Sequence, residues 1–310
     1  MPPVPAPRDR EFRRPALPGF VRSPVAFGQD NAPGLLSPAA SRTILRGVRQ
    51  PTGLMPADTH DPMSYLNLDM LSRIDPDAFR NRDPFPWINP QGFLTESGYR
   101  ELLATMPPVE QFTPFFGKVR KHGQQSHERY VLEYTDDTVL PEPWRLFVEE
   151  LKGDAYRGFI RDLLGGAAFK FRFHWHYTPN GCSVSPHCDA RGKLGSHIFY
   201  MNSREEWDPS WGGETVILDD GGRLSAQSSP AFSDFDTAVP AETMDNHSLL
   251  FGRRGNSWHG VREIQCPEGA LRKVFIVVFE DADPRRMLVK RVKRLVKFKP
   301  LVTEKERAMY

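Results

Sequence analysis

The sequence predicts a mainly β fold with flanking helices, and three observations carry the prediction. From residue 168 onward the hydrophobic period changes from helical spacing to strict alternation. The apolar runs that follow are short and separated by Gly, Pro and Asp turns, with no helical pattern between them. Apart from a basic segment near the C-terminus, helical periodicity is confined to residues before 165. This succession is that of an antiparallel sandwich or barrel.

Taken in order, residues 1–60 hold eleven prolines and eight arginines but no lysine. Such a composition buries too little apolar surface to offset chain ordering, so this stretch reads as a disordered Pro-rich arm. Its arginines resemble those of a transit peptide, but the proline content opposes the amphipathic helix such a peptide needs. A folded domain is expected over 61–281, with order beginning near Pro84-Phe85-Pro86-Trp87. Thr95 is placed to cap a helix whose apolar face is Tyr99, Leu102, Leu103 and Met106, and Pro107-Pro108 ends it. A second helical region runs from about 144 to 164, with Phe147, Leu151, Phe159 and Leu163 inward and Gly165-Gly166 as its stop.

Phe169, Phe171, Phe173, Trp175 and Tyr177 then alternate with Lys170, Arg172, His174 and His176, a strand with one apolar face. Further strands are expected around 185–189, 196–202, 213–218, 248–251, 258–263 and 272–280. Residues 219–246, rich in Asp, Gly, Ser and Ala, read as a long loop shaping a site entrance. In the 282–310 tail, Leu288, Val292, Leu295 and Val296 share a helical face amid Arg and Lys over 285–299. Membrane or nucleic-acid contact through that segment is open, beside the plainer reading of a packed helix with a solvated basic face.

The 310 residues suffice for a sizeable core, and a net charge of +2 implies no polyanionic partner. Three cysteines without paired spacing fit a reducing compartment, and no apolar run spans a bilayer, so a cytoplasmic protein is expected. Oligomeric state is open.

Chemistry concentrates at His187 and Asp189 in Ser-Pro-His-Cys-Asp, and at His259 in Asn-Ser-Trp-His-Gly-Val. Spacing by two on a strand turns His187 and Asp189 to one side and Cys188 to the other. Two imidazoles and a carboxylate can hold one face of a non-haem Fe(II) ion and leave the other open. Arg272 shares parity with Val274, Ile276 and Val278, an inward face, whereas Lys273 has the opposite parity. A guanidinium there can grip a carboxylate in two-pronged fashion. By parity, His174 and His176 oppose the apolar face and are expected at the surface, and His197 is expected to be structural or exposed. His247 is expected in a turn, Arg253 and Arg254 at the surface, and Trp211 and Trp258 in packing.

His187-Cys188-Asp189, Tyr200-Met201-Asn202, Gly212-Gly213-Glu214, His259-Gly260-Val261 and Arg272 occur in an order that resembles the prolyl-4-hydroxylase-like Fe(II)/2-oxoglutarate dioxygenases. The resemblance covers about residues 80–281, including the entry segment from Pro84 to Pro108. It implies a double-stranded β-helix (jelly roll) core, with Fe(II) on His187, Asp189 and His259. It also implies 2-oxoglutarate and O2 as cosubstrates, with ascorbate as an accessory. Arg272 would hold the distal carboxylate of 2-oxoglutarate, with Tyr200 and Tyr177 near the cosubstrate. The implied reaction is hydroxylation of an unactivated C–H in an amino acid, peptide or small metabolite, releasing succinate and CO2. The retained Asp189 argues against halogenation. The competing readings are a non-catalytic jelly-roll binding module and a scaffold whose basic tail docks it to membrane or nucleic acid.

Overall fold

A computed structural model describes residues 64–117 and 127–283. The Pro-rich arm and the basic segment 285–299 lie outside the described residues, as does any role assigned to them.

Order starts earlier than Pro84. Two short helices come first, α1 (Leu68–Arg73) and α2 (Pro76–Arg80). The side chains of Asn67 and Asp75 cap them by accepting first-turn backbone N–H groups. A short strand, β1 (Trp87–Ile88), leads to α3 (Glu96–Ala104), where Thr95 accepts from Gly98 N as the N-cap. Strands β2 (Thr113–Phe115) and β3 (Arg129–Glu133) follow, neither marked by alternation long enough to announce it. The expected helix over 144–164 is two helices, α4 (Glu142–Lys152) and α5 (Asp154–Leu163), broken at Gly153.

Eight strands complete the described residues: β4 (Phe169–Thr178), β5 (Val184–Cys188), β6 (Lys193–Tyr200), β7 (Thr215–Asp219), β8 (Thr237–Pro240), β9 (Ser248–Gly252), β10 (Trp258–Val261) and β11 (Arg272–Asp281). They form two antiparallel sheets, one ordered β1-β9-β6-β11-β4-β3-β2 and the other β5-β10-β7-β8. From β4 to β11 the chain passes from one sheet to the other at each strand, except that β7 and β8 are consecutive in the small one: β4, β6, β9 and β11 are in the large sheet, β5, β7, β8 and β10 in the small one. That is the topology of a double-stranded β-helix. Strand β8 lies inside the segment expected to be a plain loop, and all four of its residues are exposed.

The large sheet is buried on both faces, and this overturns the surface placement of His174 and His176. Phe173, Trp175, Tyr177, Phe199, Phe275, Val277 and Phe279 turn toward the helices and pack with Trp144, Phe147, Leu151, Tyr156 and Ile160. The alternate positions of the same strands face the small sheet. There Ile198, Tyr200 and Val274 join Ile217 and Phe251. His174 and His176 belong to this inner set and are only 6% and 8% exposed. A β4 residue out of phase with its aromatics therefore meets a second sheet instead of water. His197 is fully buried on the helix side, where Nδ1 is hydrogen-bonded to Tyr156 Oη at 2.9 Å.

Candidate metal centre

His187 and His259 are directly opposite one another on the antiparallel β5–β10 ladder. Their ring centroids are 4.4 Å apart. Asp189 follows the last residue of β5, and one ligand atom from each of His187, Asp189 and His259 lies within 4.8 Å of the others. The two stretches of chain that were expected to meet do meet.

Both imidazoles are oriented from behind. Nδ1 of His187 donates to Ser185 O at 3.0 Å, and Nδ1 of His259 donates to Ser257 O at 3.0 Å. Each bond reaches the carbonyl two residues back and puts the ring's lone pair on Nε2, the tautomer a metal needs. Lys193 Nζ donates to Asp189 Oδ1 at 2.8 Å. Burial alone would raise the Asp189 pKa, but Lys193, His259 and His187 together outweigh it and hold the carboxyl well below its usual range. The group is therefore ionised at neutral pH, and a carboxylate has a second oxygen to offer. This donor set, two neutral imidazoles and one carboxylate, fits a six-coordinate Fe(II) with positions left open.

The triad borders a cavity of about 510 Å³ between the sheets. Arg272, at the head of β11, enters the same cavity and is 8% exposed. Its Nε donates to Gly213 O, its Nη2 approaches Thr215 Oγ1 at 3.5 Å, and the guanidinium sits 5.7 Å from the Tyr200 ring centroid. Burial lowers its pKa, with Tyr200 and Glu214 opposing. Gly212 and Gly213 have φ of 78° and 90°, and a Cβ on Gly213 would come within 2.9 Å of Arg272 Cδ. The double glycine thus makes a backbone cradle for the guanidinium.

Tyr200 lies on the inner face beside Arg272, with its buried hydroxyl next to Thr215. The structure does not bring Tyr177 to this site. Its side chain is on the helix face, stacked on Phe112 at 4.1 Å, with its hydroxyl donating to Pro107 O at 2.7 Å. On β4 it is His176, one residue earlier, that faces the cavity. Trp258 is fully buried and Trp211 packs on Trp207, as packing residues. His247 Nδ1 donates to Met244 O in its turn, and Arg254 holds the carbonyls of Arg80 and Arg82. Ala226 and Gln227, from the 219–246 segment, line the cavity.

Sequence reasoning missed Lys193, Thr215 and Arg129, all lining residues. The Asp189–Lys193 spacing of four gives no strand-parity signal because a turn intervenes. Thr215 and Arg129 are ordinary strand residues until the sheets are paired.

No family model matches the chain, and no curated protein does. Solved structures similar to it include a prolyl hydroxylase from Trichoplax adhaerens bound to a hypoxia-inducible-factor peptide fragment. That likeness is 16% identical with a TM-score of 0.48, and covers 71% of this chain and 93% of the other. A Pseudomonas putida prolyl-4-hydroxylase is 17% identical, TM-score 0.46, covering 68% and 99%. SnoK, a non-haem α-ketoglutarate-dependent carbocyclase from nogalamycin biosynthesis, is 13% identical, TM-score 0.48, covering 69% and 86%.

Proposed function

We propose that this protein is an Fe(II)- and 2-oxoglutarate-dependent dioxygenase that hydroxylates an unactivated C–H bond of an amino acid, peptide or small metabolite. The observation that carries the reading is the convergence of His187, Asp189 and His259 within 4.8 Å at the wall of the cavity between the sheets. Bound Fe(II) would supply the redox chemistry by which 2-oxoglutarate and O2 become succinate and CO2, with one oxygen atom passing to the substrate C–H.

The chain's own contribution is positioning. His187, Asp189 and His259 would hold the ion from the small sheet, with Ser185 O, Ser257 O and Lys193 fixing their orientation. Arg272 supplies a buried cation whose contacts are a carbonyl, a hydroxyl and an aromatic face. A cation so placed favours an anionic ligand group. The ladder sets its distance from the metal ligands: His259 pairs with Ile217 and Val261 with Thr215, two residues further along. That offset is roughly 7 Å of strand, on the scale of a five-carbon diacid chelated at one end and gripped at the other. Tyr200 Oη, buried beside Arg272, is a second donor for the same carboxylate. Val184, Val261 and Phe251 line the cavity with apolar surface and exclude bulk water.

The test is succinate formation. Purified protein given Fe(II), ascorbate and 2-oxoglutarate is expected to release succinate slowly even without a primary substrate. His187→Ala and Asp189→Ala are each expected to abolish it, and unchanged turnover in both removes the assignment.

A further inference from the structure

Among the described histidines, His174 stands apart. His187 and His259 donate to backbone carbonyls, as His247 does to Met244 O. His197 meets Tyr156 Oη, and His176 accepts from Arg129 Nε at 3.3 Å. His174 has no hydrogen bond to any described residue, although it is only 6% exposed. Its Nδ1 is sealed from solvent, which leaves Nε2 to face the cavity that the ring lines. Buried polar groups are normally satisfied, so an unpaired imidazole on a central strand calls for a ligand.

The ring sets the polarity of that ligand. Burial first, then the charges of Arg172, Lys193 and Arg129, hold His174 neutral, so it carries a single N–H. An unpaired buried N–H is a rarer orphan than an unpaired lone pair. The sealed Nδ1 therefore keeps the lone pair, and Nε2–H is a donor toward the cavity. Around it the wall is apolar, formed by Ile198, Val274, Ile276 and Val278.

Position separates His174 from the cosubstrate. On the β4–β11 ladder Arg272 is opposite Thr178 and Ile276 is opposite His174, a distance of four residues, roughly 13 Å of strand. On the small sheet His259 is only two residues beyond the Val261–Thr215 pair that flanks Arg272. A diacid stretched from Arg272 to the His187, Asp189 and His259 cluster stops short of His174. Asp189, just past the end of β5, is the carboxylate whose charge reaches the ring.

We propose that His174 is the specificity-determining residue for the primary substrate, donating its ring N–H to an acceptor oxygen, carbonyl or carboxylate, on a small and otherwise largely apolar molecule. The inference rests on the dioxygenase reading, which assigns Arg272 to the cosubstrate and leaves the His174 end of the cavity to the substrate. A cavity of about 510 Å³ shared by two ligands suits a metabolite-sized molecule.

Ligand-observed NMR on the full chain, loaded with Zn(II) and 2-oxoglutarate so that no turnover occurs, tests it. The probes are cyclopentanone, cyclopentanecarboxylate and methylenecyclopentane, the last having the ketone's shape without its oxygen. At least one oxygen probe is expected to bind at least fivefold more tightly than methylenecyclopentane, and which one responds tells carbonyl from carboxylate. His174→Phe is expected to lose the preference, and His174→Gln, which keeps an N–H donor, to retain part of it. Because no described residue depends on the imidazole for a hydrogen bond, His174→Phe is expected to melt no lower than wild type and to hold 2-oxoglutarate within twofold of its affinity. Equal binding of all three probes, no binding by either oxygen probe, or a preference that survives in His174→Phe overturns the inference. So does a His174→Phe variant that melts several degrees lower or loses 2-oxoglutarate tenfold, since the ring would then serve the fold or the cosubstrate. Wild-type protein that binds neither iron nor 2-oxoglutarate removes the dioxygenase reading itself, and this inference with it.

Discussion

Arg272 is held where it is by a neighbour with no side chain. Gly213 offers its carbonyl to Nε, and a Cβ at that position would strike Cδ at 2.9 Å on a backbone whose φ is 90°. Arg272→Ala is expected to raise the half-saturating 2-oxoglutarate concentration by tenfold or more, since a charge-assisted contact contributes about 1.5–3 kcal/mol. An unaffected half-saturation disqualifies Arg272. Gly213→Ala is expected to shift the same quantity several-fold in the same direction, measured as 2-oxoglutarate affinity of the iron-loaded protein. At this scale the His187, Asp189 and His259 cluster and Arg272 were legible because each lies in a short motif or a clean parity run. Tyr177 was not, because alternation identifies two faces without saying which one looks at the ligand. The aromatic face of β4 went to the helices, and His176 went to the cavity.

The elements show why that choice was hidden. β4 pairs with β11 over ten residues and with β3 on its other side, so it is central and covered on both faces. A polar face on such a strand is a cavity wall, but its sequence reads like that of a solvated edge. The consequence can be measured. Burial holds His174, His176 and His197 neutral, with pKa values well below the ordinary range. Below about pH 6.5 the unfolded chain takes up protons that the native state refuses. Stability is thus expected to fall as pH drops from 7 toward 5, each histidine adding up to about 1.4 kcal/mol per pH unit. Urea titrations across that range should show the decline, and His197→Phe should make the slope shallower by about one proton; a flat profile contradicts the assignment. Strand packing gives a second expectation. A Cβ on Gly195 would lie 2.3 Å from Phe251 O, where β6 and β9 meet. Gly195→Ala should cost at least the 1–3 kcal/mol typical of overpacking, seen as a lower urea midpoint.

For the molecule as a whole, the sandwich class was legible from period and turn spacing, while strand order was not. β2, β3 and β8 are too short or too polar to register as strands in isolation, and they acquire their identity from the ladders they join. The proposed ligands span the two sheets, with the metal on the small sheet and Arg272 on the large one. Ligand binding should therefore stabilise the domain as a unit. Zn(II) with 2-oxoglutarate at a hundred times its dissociation constant is expected to add about 2.7 kcal/mol. Thermal scans should show an upward shift that Asp189→Ala removes, and an equal shift in that variant would place the ligands elsewhere.

The ten-residue register of β11 against β4 has one more implication. Slipping that strand by a single position would exchange Arg272 for Lys273, turning a fork-shaped donor out of the cavity and sending a point charge in. Affinity for a dicarboxylate is then a gauge of correct sheet assembly. Misthreaded chains would betray themselves by failing to capture it, even where their backbone spectra looked native.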